Sequence, residues 1–468
     1  MANNYRDRIA TVDEAGGRVW VYPKFINGVF LKRRQVVSYL LIAFLFAGPW
    51  IRIGSEPLLQ LDVIHRKFVI LGQVFWPQDS FLFALSMVTA VVLIIVFTVV
   101  FGRLFCGWVC PQTVFLEFIF RPIERLIEGD RNARIRLDKG PWNAEKIRKK
   151  ALKWGIYFGI SFAIGNTFLA YIIGRDELIR IQTDPPAEHI GGLLALLGFT
   201  AVFFFVFARL REQVCTTICP YGRLQGVLVD RDTVNVTYDY VRGEPRGHRK
   251  RNASEEELAK QGDCVDCGLC VQVCPTGIDI RNGVQLECVH CTACIDACDS
   301  IMEQLAMPGG LIRYASENSI AEKKPFALTG RAKAYIGVLF ALSLVLFGLI
   351  FFRSSIEMNV YRTSGTLYEV DDQGVISNLY RFTLLNKSHD TLHVQLAPND
   401  ARFSLELVGE ADLVVPAAEM VEGVFFLRTP LDGLSEDRAK FRIVLRDGDR
   451  VIASTKTEFP GPIPGMKH

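Results

Sequence analysis

The last 170 residues of this 468-residue chain contain no cysteine, although the chain has 12; all of them fall between Cys106 and Cys298. A secreted disulfide scaffold spreads paired cysteines through its exported part. That class is excluded, and the pattern suits thiolates kept reduced on the cytoplasmic side. Charge of one sign is also lacking: 53 Lys and Arg stand against 50 Asp and Glu, a net +3. With no nucleic-acid motif beside it, that balance excludes a nucleic-acid partner. There is no nucleotide-binding glycine loop, since Gly309-Gly310 alone is a turn, so hydride chemistry has no cofactor site. The first 35 residues are polar and charged and lack the apolar core and cleavage site of a secretory signal peptide. The first membrane span is therefore expected to act as the targeting element.

What the chain has in quantity is apolar length. Half of its residues are hydrophobic, and its mean hydropathy of +0.22 fits a mixture of spans and aqueous domains. A bilayer core of about 30 Å needs about 20 helical residues. Five runs approach or reach that length: Val36–Ile53, Phe81–Phe101, Trp154–Ile173, Gly191–Ala208 and Ala334–Phe352. The first contains Gly48-Pro49, which predicts a kink. Lys32, Arg33 and Arg34 precede the first run, and the loop after the second is rich in cations from Arg121 to Lys150. The other loops carry only Arg66 and Lys67, or Arg175 and Arg180. The positive-inside rule then puts the N-terminus and both cysteine-bearing loops in the cytoplasm and the C-terminus in the periplasm. Asn166 and Thr167 are polar within the third run and are expected to bond a neighbouring helix. No chain of buried acids marks a proton pump.

The second and fourth runs end alike. Arg103-Leu104 leads into Cys106-Gly107-Trp108-Val109-Cys110-Pro111, and Arg209-Leu210 leads into Cys215-Thr216-Thr217-Ile218-Cys219-Pro220. This reads as two parallel copies of a two-helix unit. If each pair is helical, its two thiols share one face about a turn apart; alternatively Pro111 and Pro220 begin new helices. Three readings are open for these four cysteines: binding or reducing a metal ion, redox-active thiol–disulfide chemistry, or packing of small polarizable side chains. Soft sulfur ligands select Cu(I), Zn and iron–sulfur centres.

Arg242–Gly262 reads as a linker, with a basic run from Arg246 to Arg251 and a capping box at Ser254-Glu255-Glu256-Glu257. Next come Cys264, Cys267, Cys270 and Cys274-Pro275, then Cys288, Cys291, Cys294 and Cys298. The first set is the bacterial ferredoxin run, in which three thiolates wrap one cubane and the fourth reaches to the other. Cys264, Cys267, Cys270 and Cys298 are thus expected to hold one 4Fe–4S cluster, and Cys288, Cys291, Cys294 and Cys274 a second. Zinc sites use two separated C-x-x-C knuckles around one metal, which is a different pattern. Asp299 stands where a second proline is expected and adds negative charge beside a cluster. His290 lies between two ligands and is read as a neighbour. Such clusters carry electrons singly, so the chain is expected to draw them from an outside donor.

From Glu357 to His468 short strand-like runs alternate with turn residues: Tyr380–Leu385, Leu392–Leu396, Phe403–Val408, Val424–Leu427 and Phe441–Leu445. They predict an immunoglobulin-like β-sandwich. The expected fold class is a membrane α-helical bundle of five spans, with a cytoplasmic two-cluster ferredoxin-like module and this β-sandwich. The expected domains are a cytoplasmic tail (1–35), a four-span region with a basic cytoplasmic loop (36–210), the C-x-x-x-C-P segment and linker (211–262), the two-cluster module (263–333), the fifth span (334–353) and a periplasmic β domain (354–468).

In that order of parts the chain resembles the CcoG/FixG/RdxA family of cytochrome oxidase accessory proteins. The resemblance rests on the two C-x-x-x-C-P segments, the double ferredoxin motif and the C-terminal domain, and covers essentially the whole chain. It implies an inner-membrane cupric reductase that turns Cu(II) into Cu(I) for assembly of the cbb-type oxidase. Cys106, Cys110, Cys215 and Cys219 would then handle copper as substrate, and copper chaperones or the oxidase assembly machinery would be partners. Two other functions fit the same residues: a quinol-linked electron-transfer subunit, and a non-catalytic assembly scaffold.

Overall fold

Helix α1 (Val29–Ala47) begins seven residues before the predicted apolar run, so Lys32, Arg33 and Arg34 lie inside its first two turns. It stops at Ala47, and Gly48-Pro49-Trp50 form a turn rather than a kink, because proline cannot continue a helix interior. Helix α2 (Ser80–Phe101) is apolar all round, the signature of a helix immersed in lipid or core. It ends at Gly102, whose φ of +55° is a conformation that glycine adopts readily. There follow α3 (Leu104–Trp108), α4 (Pro111–Phe115), a π-helical turn (Leu116–Phe120), α5 (Arg121–Glu128) and α6 (Arg131–Lys139). Helix α7 (Ala144–Ile173) starts where the Asn143 side chain accepts the Lys146 N–H at 2.8 Å. Asparagine is well suited to that capping position. After α8 (Arg175–Thr183) come α9 (Ile190–Phe205), two π-helical turns (Val206–Leu210 and Val214–Ile218) and α10 (Pro220–Leu228).

The computed structural model describes residues 10–13, 15–53, 56–62, 67–70, 72–76, 79–249, 260–323, 325–363, 368–371, 374–388, 390–409, 413–430, 434 and 438–461. Arg66, the Ser254–Glu257 capping box and the end of the basic run at Lys250 and Arg251 lie outside these residues. Among the described residues, five helical stretches are long and apolar enough to cross a membrane: Ser80–Phe101, Leu104–Glu128, Ala144–Ile173, Ile190–Leu210 and Gly330–Phe351. The number matches expectation but the membership differs. Leu104–Glu128 joins the set, and α1 leaves it because three cations fall within its first two turns. Asn166 bonds Gln182 of α8, whereas Thr167 bonds back to Ala163 of its own helix.

The chain divides into two compact units, Met1–Trp50 with Phe81–Phe347, and Ile51–Ser80 with Gly348–His468. The loop between the first two helices, assigned from sequence to the membrane region, belongs to the second unit. There its strands Leu59–Asp62, Lys67–Ile70 and Gln73–Phe75 form a small antiparallel sheet, with Val69 and Val74 buried against Ala418.

Beside the strand pair Arg52–Ile53 and Glu56–Pro57, most of the described remainder of the second unit is two antiparallel sheets. One orders its strands Ser404–Leu407, Met420–Pro430, Val375–Asn386 and Ile356–Arg362; the other orders Leu413–Val415, Leu392–Pro398, Arg438–Asp447 and Arg450–Pro460. Alternating residues of both, including Tyr380, Phe382, Phe425, Ile443 and Phe459, share one core. Gly423 stands opposite Phe382 in the ladder. A Cβ there would come within 2.5 Å of the Phe382 ring, so the glycine is what lets the ring lie across its partner strand. All five predicted strand runs appear. Ile356–Arg362 and Arg450–Pro460 were missed, the second because its polar and small residues carry no apolar alternation.

Candidate metal centre

In the first unit, strands Asn235–Tyr238 and Ile312–Ala315 pair antiparallel and frame the eight-cysteine module. The two cysteine runs turn by the same device. Asp266 and Gly268 in the first run, and His290 and Thr292 in the second, all have positive φ. In each run these are the residues two after the first cysteine and one after the second. Each run then enters a helix, Leu269–Gln272 or Ala293–Gln304. The runs part after their fourth cysteines. Cys274 meets Pro275 and the chain turns away, while Asp299 lets the second helix continue to Gln304. The Asp299 carboxylate instead accepts the Gly310 N–H at 2.7 Å, fixing the return turn.

Two cavities sort the eight thiols. Cys264, Cys267, Cys270 and Cys298 line one, with an empty volume of about 380 Å³. Cys274, Cys288, Cys291 and Cys294 line the other, of about 340 Å³, and Cys270 touches both. Burial pushes the thiols of Cys270, Cys288, Cys291 and Cys298 up to about 12. A thiolate there is costly unless a cation meets it, which is the electrostatic setting of a thiolate-ligated metal. The residues present therefore fit iron–sulfur clusters. Cys267 alone of the eight is exposed.

The C-x-x-x-C-P segments adopt the second of the two expected geometries. Pro111 and Pro220 open α4 and α10, with Cys110 and Cys219 as the residues before them. The two copies pack together: Arg103 Nε donates to Gln225 Oε1 at 2.7 Å, the Cys106 thiol donates to the same oxygen at 3.6 Å, and Gln112 donates to the Arg211 carbonyl at 3.1 Å. Cys219 lies near enough to Cys110, and Cys106 and Cys110 near enough to Cys215, to interact electrostatically. They are not packed as a closed three-ligand site. Among the described residues, the group of three or more His, Cys, Asp and Glu ligand atoms lying within 4.8 Å of one another is Asp184, Glu188 and His189.

This thiol group abuts the second cavity. Cys106 and Cys215 pack with Val289 and Cys291. Gly107 makes the approach possible, because a Cβ there would sit 2.5 Å from the Val289 carbonyl oxygen and 2.6 Å from that of His290. Sequence reading missed the cations at this junction. Arg34 donates from Nε to the Gly107 carbonyl at 3.0 Å and from Nη1 to the Cys291 carbonyl at 2.7 Å. The charge of buried Arg103 reaches Cys215, Cys288 and His290. Burial, then Arg103, pushes His290 down to about 3, so its ring is neutral at pH 7.

The described part of the expected linker is bound to the module rather than free. Arg242 grips Asp263 and donates to the Gly309 carbonyl at 2.8 Å, and the Gly247 N–H donates to the Cys264 carbonyl at 3.1 Å. The basic loop is likewise bonded. Glu124 accepts from Arg211 at 3.0 and 2.7 Å and from Arg134 at 3.1 Å, and Glu128 pairs with Lys153 at 2.7 Å.

Three family models match the chain: a 4Fe-4S binding domain over residues 83–129, a 4Fe-4S dicluster domain over 210–317, and the "IG-like fold at C-terminal of FixG" over 346–462. Cys106 and Cys110 are the cysteines within the first of these. The nitrogen fixation protein FixG of Rhizobium meliloti is 34% identical over 86% of this chain and 80% of its own length. Protein RdxB of Cereibacter sphaeroides is 34% identical over 93% and 95%, and protein RdxA of the same organism is 33% identical over 87% and 88%. With cysteine-lined cavities beside five long apolar helices, and with relatives matched over nearly their whole length, the chain belongs to the FixG/RdxA family of membrane-bound iron–sulfur electron-transfer proteins.

Proposed function

We propose that this protein reduces Cu(II) to Cu(I), one electron at a time, and supplies it for assembly of a cbb-type cytochrome oxidase. Cys264, Cys267, Cys270 and Cys298 would hold one 4Fe–4S cluster, and Cys274, Cys288, Cys291 and Cys294 the other. Bound there, such clusters supply single-electron storage. Copper is the substrate, taken by Cys106, Cys110, Cys215 and Cys219. The observation that carries the reading is the packing of Cys106 and Cys215 against Cys291, which sets soft thiols beside the second cysteine cavity.

The protein's own groups perform the rest. Each thiol that takes copper gives up its proton, and the charge of Arg103 favours the resulting thiolates. One electron converts Cu(II) to Cu(I), and soft sulfur favours the reduced ion. Among the described residues the four thiols do not form a group of three within 4.8 Å, so copper would be held by fewer of them at a time or would draw them closer. On this reading the N-terminus and the cysteine module lie in the cytoplasm and the immunoglobulin-like domain in the periplasm, where it would meet the assembly machinery; the basic flanks support that orientation.

The test uses anaerobically purified protein reduced with dithionite and freed of excess reductant. Adding Cu(II) with a Cu(I)-specific chelator is expected to yield one Cu(I) per reduced cluster, with parallel loss of the cluster EPR signal. Serine at all four of positions 106, 110, 215 and 219 is expected to abolish the yield while iron and sulfide content persist. Undiminished copper reduction by that variant would remove the proposed copper site.

A further inference from the structure

Between α1 and the segment Leu116–Glu128 lies an empty space of about 970 Å³, its mouth included. Gln35 and Tyr39 of α1 form one wall and Phe118 and Arg121 the opposite one; the cysteine module closes the inner end with Pro275 and Cys291. Cys291 also lines the cavity of Cys274, Cys288 and Cys294. A single residue therefore borders both spaces.

Arg34 lines this pocket and is only 3% exposed. Its Nε and Nη1 are used on Gly107 and Cys291, but its Nη2 is buried and has no hydrogen-bond partner. Leaving a buried donor unmet is unfavourable, the more so when the group is charged. The arrangement is stable once an acceptor oxygen enters the pocket. Aromatic surface waits beside it: Phe118 lies 5.1 Å under the Arg34 guanidinium and meets Tyr39 edge to face at 6.4 Å.

We propose that this pocket binds quinol and is where electrons enter. A planar ring carrying oxygen acceptors would meet Arg34 and the aromatic pair, while charged residues such as Lys24, Glu117, Arg125 and Asp130 also line the space. The Leu104–Glu128 wall belongs to a stretch long and apolar enough to cross a membrane, which would give a lipid-soluble ligand a way in. The lining has no glycine loop for the pyrophosphate of a dinucleotide. In the reaction both O–H bonds of the quinol break. Its two electrons would pass singly to the clusters that the eight cysteines would hold and on to two Cu(II), its two protons would go to water, and quinone would leave. Arg34 acts twice, holding a ring oxygen and placing positive charge beside Cys291, which favours the reduced and more negative cluster.

The proposal rests on reading the cysteine cavities as cluster sites, so iron, sulfide and the dithionite-reduced EPR signal are measured first on every sample. The experiment titrates a short-chain quinone analogue into cluster-loaded, full-length protein in nanodiscs and reads binding by calorimetry. It then adds the corresponding quinol anaerobically and reads cluster reduction. Wild type is expected to bind saturably and to become reduced. Arg34→Gln is expected to weaken binding at least tenfold. Gln35→Trp, which fills the pocket wall and keeps the Arg34 bonds, is expected to do the same with unchanged cluster content. Quinone binding that Gln35→Trp leaves intact overturns the assignment. So does absence of quinone binding in cluster-loaded wild type, or FMN or NADH occupying the pocket in its place. Copper reduction driven by dithionite is independent of all three outcomes, so failure here is distinguishable from failure of the cupric-reductase reading.

Discussion

The carboxylate of Asp296 accepts the backbone N–H of Leu31 at 2.8 Å. The same carboxylate accepts the Phe30 N–H at 3.0 Å. Asp296 sits between Cys294 and Cys298 on the helix Ala293–Gln304, so the cysteine module caps the first turn of α1. A helix start leaves four N–H groups unpaired and carries partial positive charge, and a carboxylate answers both. Gly28 leaves room for it, since a Cβ there would sit 2.1 Å from the Asp296 side chain. The contact fixes Arg34, one turn on, against the carbonyls of Gly107 and Cys291.

Asp296→Ala should therefore loosen α1 from its start. Loss of a capping group costs about 1–2 kcal/mol. The expected result is faster amide exchange across Val29–Arg34, measured by hydrogen–deuterium exchange, with unchanged iron and sulfide content. Asp296→Asn keeps an acceptor oxygen and should recover part of the protection. Exchange at wild-type rates in Asp296→Ala would show that α1 is held by other contacts.

The same contact explains what sequence could and could not disclose. The eight cysteines stood out in the sequence because a cubane fixes ligand spacing within a few residues, and in the structure they line two cavities. The start of α1 was misjudged because its cap lies 266 residues away from Phe30. Arg34 looked like one of three flanking cations, since its partners are backbone carbonyls with no sequence signature. Leu104–Glu128 looked like the start of a solvated basic loop because Glu117, Arg121, Glu124 and Glu128 interrupt its apolar run. Their neutralising partners, such as Arg211 and Lys153, come from distant parts of the chain.

Gly107 is the point where the C-x-x-x-C segment touches the cysteine module. With the Val289 and His290 carbonyl oxygens 2.5 and 2.6 Å from a would-be Cβ, neither neighbour being a flexible side-chain end, Gly107→Val must push the two apart. Overpacking of this kind costs about 1–3 kcal/mol. Cluster content should survive, since the eight cluster cysteines are untouched. Transfer to copper should fall at least tenfold in a single-turnover stopped-flow measurement from dithionite-reduced protein. An unchanged transfer rate would separate the thiol group from the electron path.

Glu124 is 3% exposed and faces the cations of Arg211, Arg134 and Lys153. Removing one partner of a buried ion group is expected to cost about 3–5 kcal/mol, because uncompensated charge is left behind. Glu124→Gln should thus lower the thermal midpoint in detergent by several degrees. Arg211 has a φ of +55° and its guanidinium holds Glu124 with two bonds, so Glu124→Gln should also release the turn leading to Cys215. Faster alkylation of Cys215 in the metal-free protein would report that release. Retained stability and unchanged Cys215 reactivity together would show that the remaining charges redistribute without loss.

The second unit carries its own pH sensor at Asp79, a buried carboxylate that pairs with Lys387 at 2.7 Å and also with Arg353. Burial pushes the Asp79 carboxyl up, but the Lys387 ammonium and the Arg353 guanidinium outweigh it and hold the group below the ordinary carboxylate range. The folded unit thus binds this proton less readily than the unfolded chain, whose Asp titrates near about 3.9. The stabilisation is fully present above that value and is lost as pH falls through the lower, folded one. Hydrogen exchange along Val375–Asn386 in the full-length protein should be steady from about pH 7 to 5, after correction for intrinsic rates, and should lose protection below about pH 4. Asp79→Asn should cost about 3 kcal/mol at neutral pH, the low end of the range because Glu357 still answers Lys387 at 2.7 Å. It should also flatten the acid limb. If the variant keeps the wild-type acid dependence, another carboxylate sets it, and the Asp79 pair does not control the acid stability of the unit.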